Sequence, residues 1–142
     1  MAAPRGTLRS EDFLGTRMVE LVVHADDLHR SLPGSARVDS TPVEFTRAEL
    51  TLALRTLAQA LGDNHPGHTI EVRVPPYTAV QCGIPGDGPT HTRGTPPNVV
   101  ETDGPTFWRL ATGRIEWSEA VAGGTVSASG TRADLSTLLP LW

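Results

Sequence analysis

The chain has 142 residues, enough for one domain with its own hydrophobic core and too few for two. A 38% hydrophobic and 20% charged composition is that of a globular chain, and a net charge of −4 argues against a nucleic-acid partner. All 12 basic residues are arginine, and no basic run offsets the negative balance. No apolar leader opens the sequence, and no stretch approaches the roughly 18 apolar residues of a membrane span. The single cysteine, Cys82, excludes an internal disulfide and a paired-cysteine metal site. A cytoplasmic location is the simple expectation.

In chain order, residues 1–10 read as a tail and about 11–31 as a helix. Leu14, Met18, Leu21, Ala25, Leu28 and Leu32 recur at spacings of three and four, which predicts a buried stripe. Ser10 is placed to cap this helix, Pro33-Gly34 ends it, and residues 35–44 form a linker. The polar residues Glu20, His24, Asp27 and Ser31 fall away from the stripe, where solvent is expected.

The next helix is marked more sharply. Thr46 and Glu49 make a capping box, Phe45 and Leu50 a hydrophobic staple, and Leu50, Leu54, Leu57 and Leu61 one apolar face. Gly62 stands where a C-terminal cap belongs, so the helix is expected over roughly 47–61. The period then drops to two: Ile70, Val72 and Val74 alternate with Glu71 and Arg73 in a half-buried strand. A second strand over 78–82 lies close enough to pair antiparallel.

Residues 83–97 are a turn-rich loop, with a short strand expected at 91–93, and 98–102 form a further strand. Asp103 caps a helix over about 105–112 that Gly113 ends. A short helix carries Trp117, Ala120 and Val121 to Gly123-Gly124, and a strand at 125–129 sets Val126 and Ala128 on one face. A last helix is expected to carry Leu135, Leu138 and Leu139. The order describes an α+β fold, with a mainly antiparallel sheet of about five strands covered by helices on one face.

Two resemblances follow from particular segments. From residue 98 onward, NVVETD, FWRLATGR, W-SEAVAGG, TVSASG and TRADLSTLL resemble the closing half of sterol carrier protein domains. Upstream, IEVRVPP, AVQCG and HTRGTPPNVVET resemble the actinobacterial branch of that superfamily, so the likeness covers about 43–142. It implies a sterol carrier protein-like domain over 45–142, after residues 1–34 and the linker. Separately, TRMVELVVHADDL at 16–28 resembles the last helix of the DinB-like bundle of mycothiol-dependent maleylpyruvate isomerases. There an E-x-x-x-H pair supplies two metal ligands and an earlier helix a third histidine. Glu20 and His24 match the pair, and the third ligand has no counterpart, so the metal site is incomplete.

The sterol carrier likeness implies an apolar tunnel, which Val80, Phe107, Leu110, Val121, Val126, Leu135, Leu138 and Leu139 would line. Periodicity does not separate such a tunnel from a packed core. Around its mouth, Arg93 could clamp an anionic head group and His91 titrates near neutrality, with Asn98 beside them. The alternative is a structural loop in which Arg93 and Asn98 hold the backbone. Cys82 has no neighbouring base and reads as a packed strand residue. No nucleophile elbow, zinc-protease motif, phosphate loop or dinucleotide fingerprint occurs.

The reading that leads is non-enzymatic binding of a lipid or other small hydrophobic molecule, with no catalytic residues and no cofactor. The alternatives are an accessory domain of a metal- and thiol-dependent isomerase or transferase, and a dimerising scaffold without ligand. For the scaffold, the apolar stripe of helix 11–32 is the surface through which a homodimer would form.

Overall fold

The computed structural model describes residues 9–34, 43–86 and 96–141. Helix α1 spans Ser10–Ser31 and α2 spans Arg47–Asn64. Strands β1 (Ile70–Val74), β2 (Thr78–Cys82) and β3 (Val99–Thr102) follow, then α3 (Gly104–Ala111), α4 (Trp117–Ala122) and β4 (Val126–Ser129). The fold is α+β.

Among the described residues the sheet has four strands in the order β2-β1-β3-β4, and it is mixed rather than mainly antiparallel. The β1–β2 and β3–β4 pairs are antiparallel, and the central β1–β3 pair is parallel. The register explains this. Cys82, the last residue of β2, lies opposite Ile70, the first of β1, so the chain returns to the end where β1 began. Strand β3 starts from that same end on the other side of β1, with Val99 opposite Glu71. The strand expected at 91–93 lies outside the described residues.

Period-two alternation sets one face of the sheet against the helices. Ile70, Val72, Val74, Cys82, Val100 and Val126 are buried with Leu54, Leu57 and Leu61 of α2, Phe107 and Leu110 of α3 and Ala120 of α4. Glu71 and Arg73 point the other way and pair within their own strand at 2.9 Å. Ala128, on the same face as the buried Val126, is exposed on the edge strand.

Helix α2 forms as its sequence dictates. The Thr46 hydroxyl accepts from the Glu49 N–H at 3.2 Å, and the Glu49 carboxylate accepts from the Thr46 N–H at 2.7 Å. Phe45 and Leu50 both pack against the core. The helix does not stop at Gly62: it runs to Asn64, and the cap is His65, whose N–H donates to the Leu61 carbonyl. Gly62 instead marks a close crossing, because a Cβ there would stand 3.0 Å from Val80 Cγ2 of β2.

Helix α1 departs most from its sequence pattern. Its buried residues are Gly15, Val19, Val22 and Val23, while Leu14, Leu21 and Leu28 are 58%, 54% and 63% exposed. Gly15 permits this docking. A Cβ at that position would clash with Thr56 Oγ1 of α2, so the two helices pack backbone to side chain there. Ser10 is the first helical residue rather than the cap, which is Arg9 and makes no side-chain capping bond.

The last helix expected from sequence is a single turn. The Leu138 and Leu139 N–H groups both donate to the Leu135 carbonyl, and Pro140 has no N–H to continue the ladder. The segment is held from outside: His65 Nε2 donates to the Leu138 carbonyl at 3.1 Å, and the Leu141 N–H donates to that of Ala111 at 2.9 Å.

Candidate functional site

The end of α3, the start of α4 and the C-terminal turn enclose a cleft of about 410 Å³. Leu110, Ile115, Trp117, Leu139 and Pro140 supply its apolar lining, and Glu116, Ser118 and Ser136 its polar lining. Each wall has a local cause. Asp103 caps α3 by accepting from the Thr106 N–H at 2.7 Å, which fixes the helix that carries Leu110. Gly113, at φ +71°, turns the chain sharply out of α3 toward Ile115. Glu116 and Glu119 form the capping box that starts α4 and so places Trp117. The Leu135 turn presents Leu139 from the opposite side.

The residues expected to line a tunnel divide into three groups. Leu110 and Leu139 face the cleft. Phe107, Val126, Leu135 and Leu138 are buried in the core, and Val80 packs partly against it. Val121 is 44% exposed. Ile115 and Pro140 also border the cleft, and sequence alone does not mark them, since a lone isoleucine in a turn and a late proline carry no periodic signal.

At the expected polar mouth, His91 and Arg93 lie outside the described residues. Asn98 is buried, and both ends of its amide are used: Nδ2 donates to the Thr69 carbonyl at 2.9 Å, and Oδ1 accepts from the Arg132 N–H at 2.9 Å. It ties the start of β3 to the segment after β4. Gly130 is shaped by that bridge, since a Cβ there would clash with Asn98 Oδ1 and its φ is +106°. The Thr69 hydroxyl, beside this bridge, is buried without a hydrogen-bond partner among the described residues.

Glu20 and His24 are both exposed on α1, and Glu20 is taken up by Arg17 at 2.6 Å. Among the described residues no group of three histidine, cysteine or acidic side chains is placed to hold a metal ion. Cys82 is buried, and that burial pushes its thiol up to about 11.

A polar cluster that the sequence does not disclose joins α1 to the cleft's own elements. Asp26 accepts from Arg109 Nε and Nη2 at 2.8 and 2.6 Å, and from the Trp108 indole at 3.2 Å. Asp27 takes Arg114 in the same two-pronged way, at 2.7 Å from Nη2 and 3.0 Å from Nε. Burial alone would raise the Asp26 carboxyl, but the Arg109 and Trp108 hydrogen bonds outweigh it and hold it below its ordinary value. The Arg114 hydrogen bond does the same for Asp27. The helical pattern sets Asp27 toward solvent, and the structure leaves it 37% exposed but pairs it with Arg114. Nothing within α1 foretells a guanidinium presented by a turn 87 residues later. Beside this cluster Val22, Ala25, Asp26, His29, Val43, Phe45 and Trp108 line a pocket of about 130 Å³.

No described helix is long and apolar enough to cross a membrane. No curated protein matches the chain. Residues 46–141 match the family model described as bacterial SCP ortholog, which spans α2 to the C-terminal turn and two thirds of the sequence; the chain therefore belongs to that family of sterol carrier protein relatives.

Proposed function

We propose that this chain binds a lipid or another small hydrophobic molecule without catalysing a reaction on it, and that the cleft between α3, α4 and the C-terminal turn receives that molecule. Membership of the bacterial sterol carrier protein family supports the class of ligand. The observation that carries the location is the cleft itself: about 410 Å³, apolar along Leu110, Ile115, Trp117 and Leu139, with Glu116, Ser118 and Ser136 as its polar lining. Ligand pockets are roughly 300–1,000 Å³ and combine apolar walls with a few polar groups, and this cleft has that make-up. The driving force would be removal of methylenes from water, about 0.8 kcal/mol each, so a dozen buried methylenes supply about 10 kcal/mol before binding costs.

Native mass spectrometry of protein purified without added ligand tests the reading. A reproducible mass increment that denaturation releases, and that Leu139→Glu abolishes in protein that still unfolds cooperatively, is the expected result. A bare mass, together with no change in Trp117 fluorescence on titration with a fatty alcohol or a fatty acid, would refute it.

The accessory-domain reading keeps one supporting observation: Glu20 and His24 are four apart and open to solvent, so donors from another chain could reach them. That reading expects zinc retention by an assembled complex and none by this chain alone.

A further inference from the structure

We propose that the cleft between α3, α4 and the C-terminal turn selects amphiphiles by the charge of their polar end, taking a long-chain amine or alcohol and rejecting a long-chain acid. This rests on the cleft being the ligand site, and adds which molecules of that class it admits. Of the described residues that line the cleft, Glu116 is the only one that carries a charge. Ser118 and Ser136, the other polar members, can donate or accept through their hydroxyls and so favour neither kind of head group. A ligand whose alkyl chain lies along Leu110, Ile115 and Leu139 thus meets a carboxylate at the polar part of the lining. The part Glu116 plays in the α4 capping box leaves acceptor sites over, since a carboxylate offers about four.

The groups that would hold an anion are already taken. Two backbone N–H groups of lining residues are occupied by the chain's own carboxylates. That of Glu116 donates to Glu119 Oε2 at 3.0 Å, and that of Ser136 donates to Asp134 Oδ1 at 2.8 Å. Each of these acids uses up a donor and sets a further negative charge one hydrogen bond from the lining. The two arginines adjacent in sequence to lining residues are committed elsewhere. Arg114, beside Ile115, gives Nε and Nη2 to Asp27 and Nη1 to the Thr112 carbonyl. Arg109, beside Leu110, gives Nε and Nη2 to Asp26. Arg132, the next arginine along, is not part of the lining, and the chain has no lysine. A carboxylate head group would therefore enter beside like charge, with no cation among the described lining residues to receive it. An ammonium or a hydroxyl brings Glu116 a hydrogen to accept, and the ammonium brings the opposite charge as well.

The test is calorimetric titration of the full chain with decylamine, decanol and decanoate, which share one chain length and differ at the polar end. At low ionic strength and neutral pH, decylamine is expected to bind about tenfold more tightly than decanoate, with decanol between them. Raising potassium chloride to about 1 M should shrink that ratio, because the carboxylates are exposed and salt screens them. Glu116→Gln keeps an acceptor oxygen for the α4 cap and removes the charge, and should bring the three ligands within about threefold of one another. Glu101→Gln removes the same charge from the outer face of β3, away from the cleft, and should leave the ratio as in the wild type. Should Glu116→Gln fail to fold, Ser136→Arg carries the test by adding the missing cation, and should tighten decanoate binding relative to the wild type. Decanoate binding as tightly as decylamine to the wild type overturns the selection and leaves the cleft as the ligand site. A preference that Glu116→Gln leaves intact, or that Glu101→Gln reduces equally, assigns it to net charge and overturns the proposal, as does Ser136→Arg with no gain for decanoate. Binding of none of the three overturns the ligand site itself, and the selection with it.

Discussion

Helices α1 and α2 are alike in sequence and opposite in use. Each is long (22 and 18 residues), and each carries leucines at helical spacing. In α2 the leucine stripe is the buried face, and Leu54, Leu57 and Leu61 are among the most enclosed side chains of the molecule. In α1 the leucine stripe is bare and a row of valines is buried instead. The strongest apolar stripe therefore does not by itself decide which way a helix turns. Helix α1 is oriented by a small residue and two carboxylates: Gly15 admits Thr56 of α2, and Asp26 and Asp27 must face Arg109 and Arg114. Turning α1 over to bury its leucines would break both two-pronged ion pairs and leave Arg109 and the Trp108 indole unpartnered beneath it.

The largest effect should come from α2. Leu61→Ala removes a side chain with no exposed surface and is expected to cost about 2–5 kcal/mol in urea unfolding. A loss below about 1 kcal/mol would mean that the α2 stripe is no more essential than that of α1, and would break the comparison.

Next in size is the clamp. The Asp26 side chain is 11% exposed and serves two donors, so Asp26→Ala should cost about 1–3 kcal/mol. The Asp27 and Arg114 side chains are 37% and 32% exposed, and water screens that pair, so Asp27→Ala should cost about 0.2–1 kcal/mol. Equal losses at the two positions would refute the claim that burial sets how much each ion pair contributes to holding α1.

The same pair predicts the acid limit. Both carboxyls are held below the ordinary value of 3.8. Their contribution is fully present above that value, where the carboxyl is ionised in both states, and disappears as the pH falls from it through the lower folded-state value. Unfolding free energy measured from pH 6 downward should therefore begin to lose this contribution near pH 4. Asp26→Asn, whose side chain does not titrate, should show a shallower decline over the same range.

The extent to which sequence discloses the structure follows from the range of the forces involved. The Thr46 capping box, the alternation of Ile70, Val72 and Val74, and the Asp103 cap are set by neighbours within four residues, and each forms as the pattern predicts. Features set by distant partners are illegible. The parallel β1–β3 pairing depends on which side of β1 the chain crosses, and Gly62 is explained by Val80 on a strand that has not yet been made. The single turn at Leu135 has the apolar spacing of a helix, and only Pro140 gives notice that it will stop. Of the candidate site, Leu110, Trp117 and Leu139 are visible as apolar bulk in the last third of the chain. That they border one cleft is a matter of how α3, α4 and the C-terminal turn meet, and that depends on the sheet beneath.

The smallest effect discriminates most finely. If the α1 leucines contribute nothing to their own domain, Leu21→Gln in dilute solution should change unfolding free energy by no more than about 0.5 kcal/mol, since an exposed side chain is exchanged for another of helix-forming type. Val22→Ala, one residue along the same helix, deletes two methyl groups from a site that is 2% exposed, and should cost about 1–3 kcal/mol under identical conditions. Position 22 wins although valine is the smaller and poorer helix former, because burial outweighs both size and propensity. A reversal of the two, with Leu21→Gln the more damaging in the monomer, would require α1 to sit on its domain through the leucine face after all, and Asp26 would then lose the partner that gives it its place.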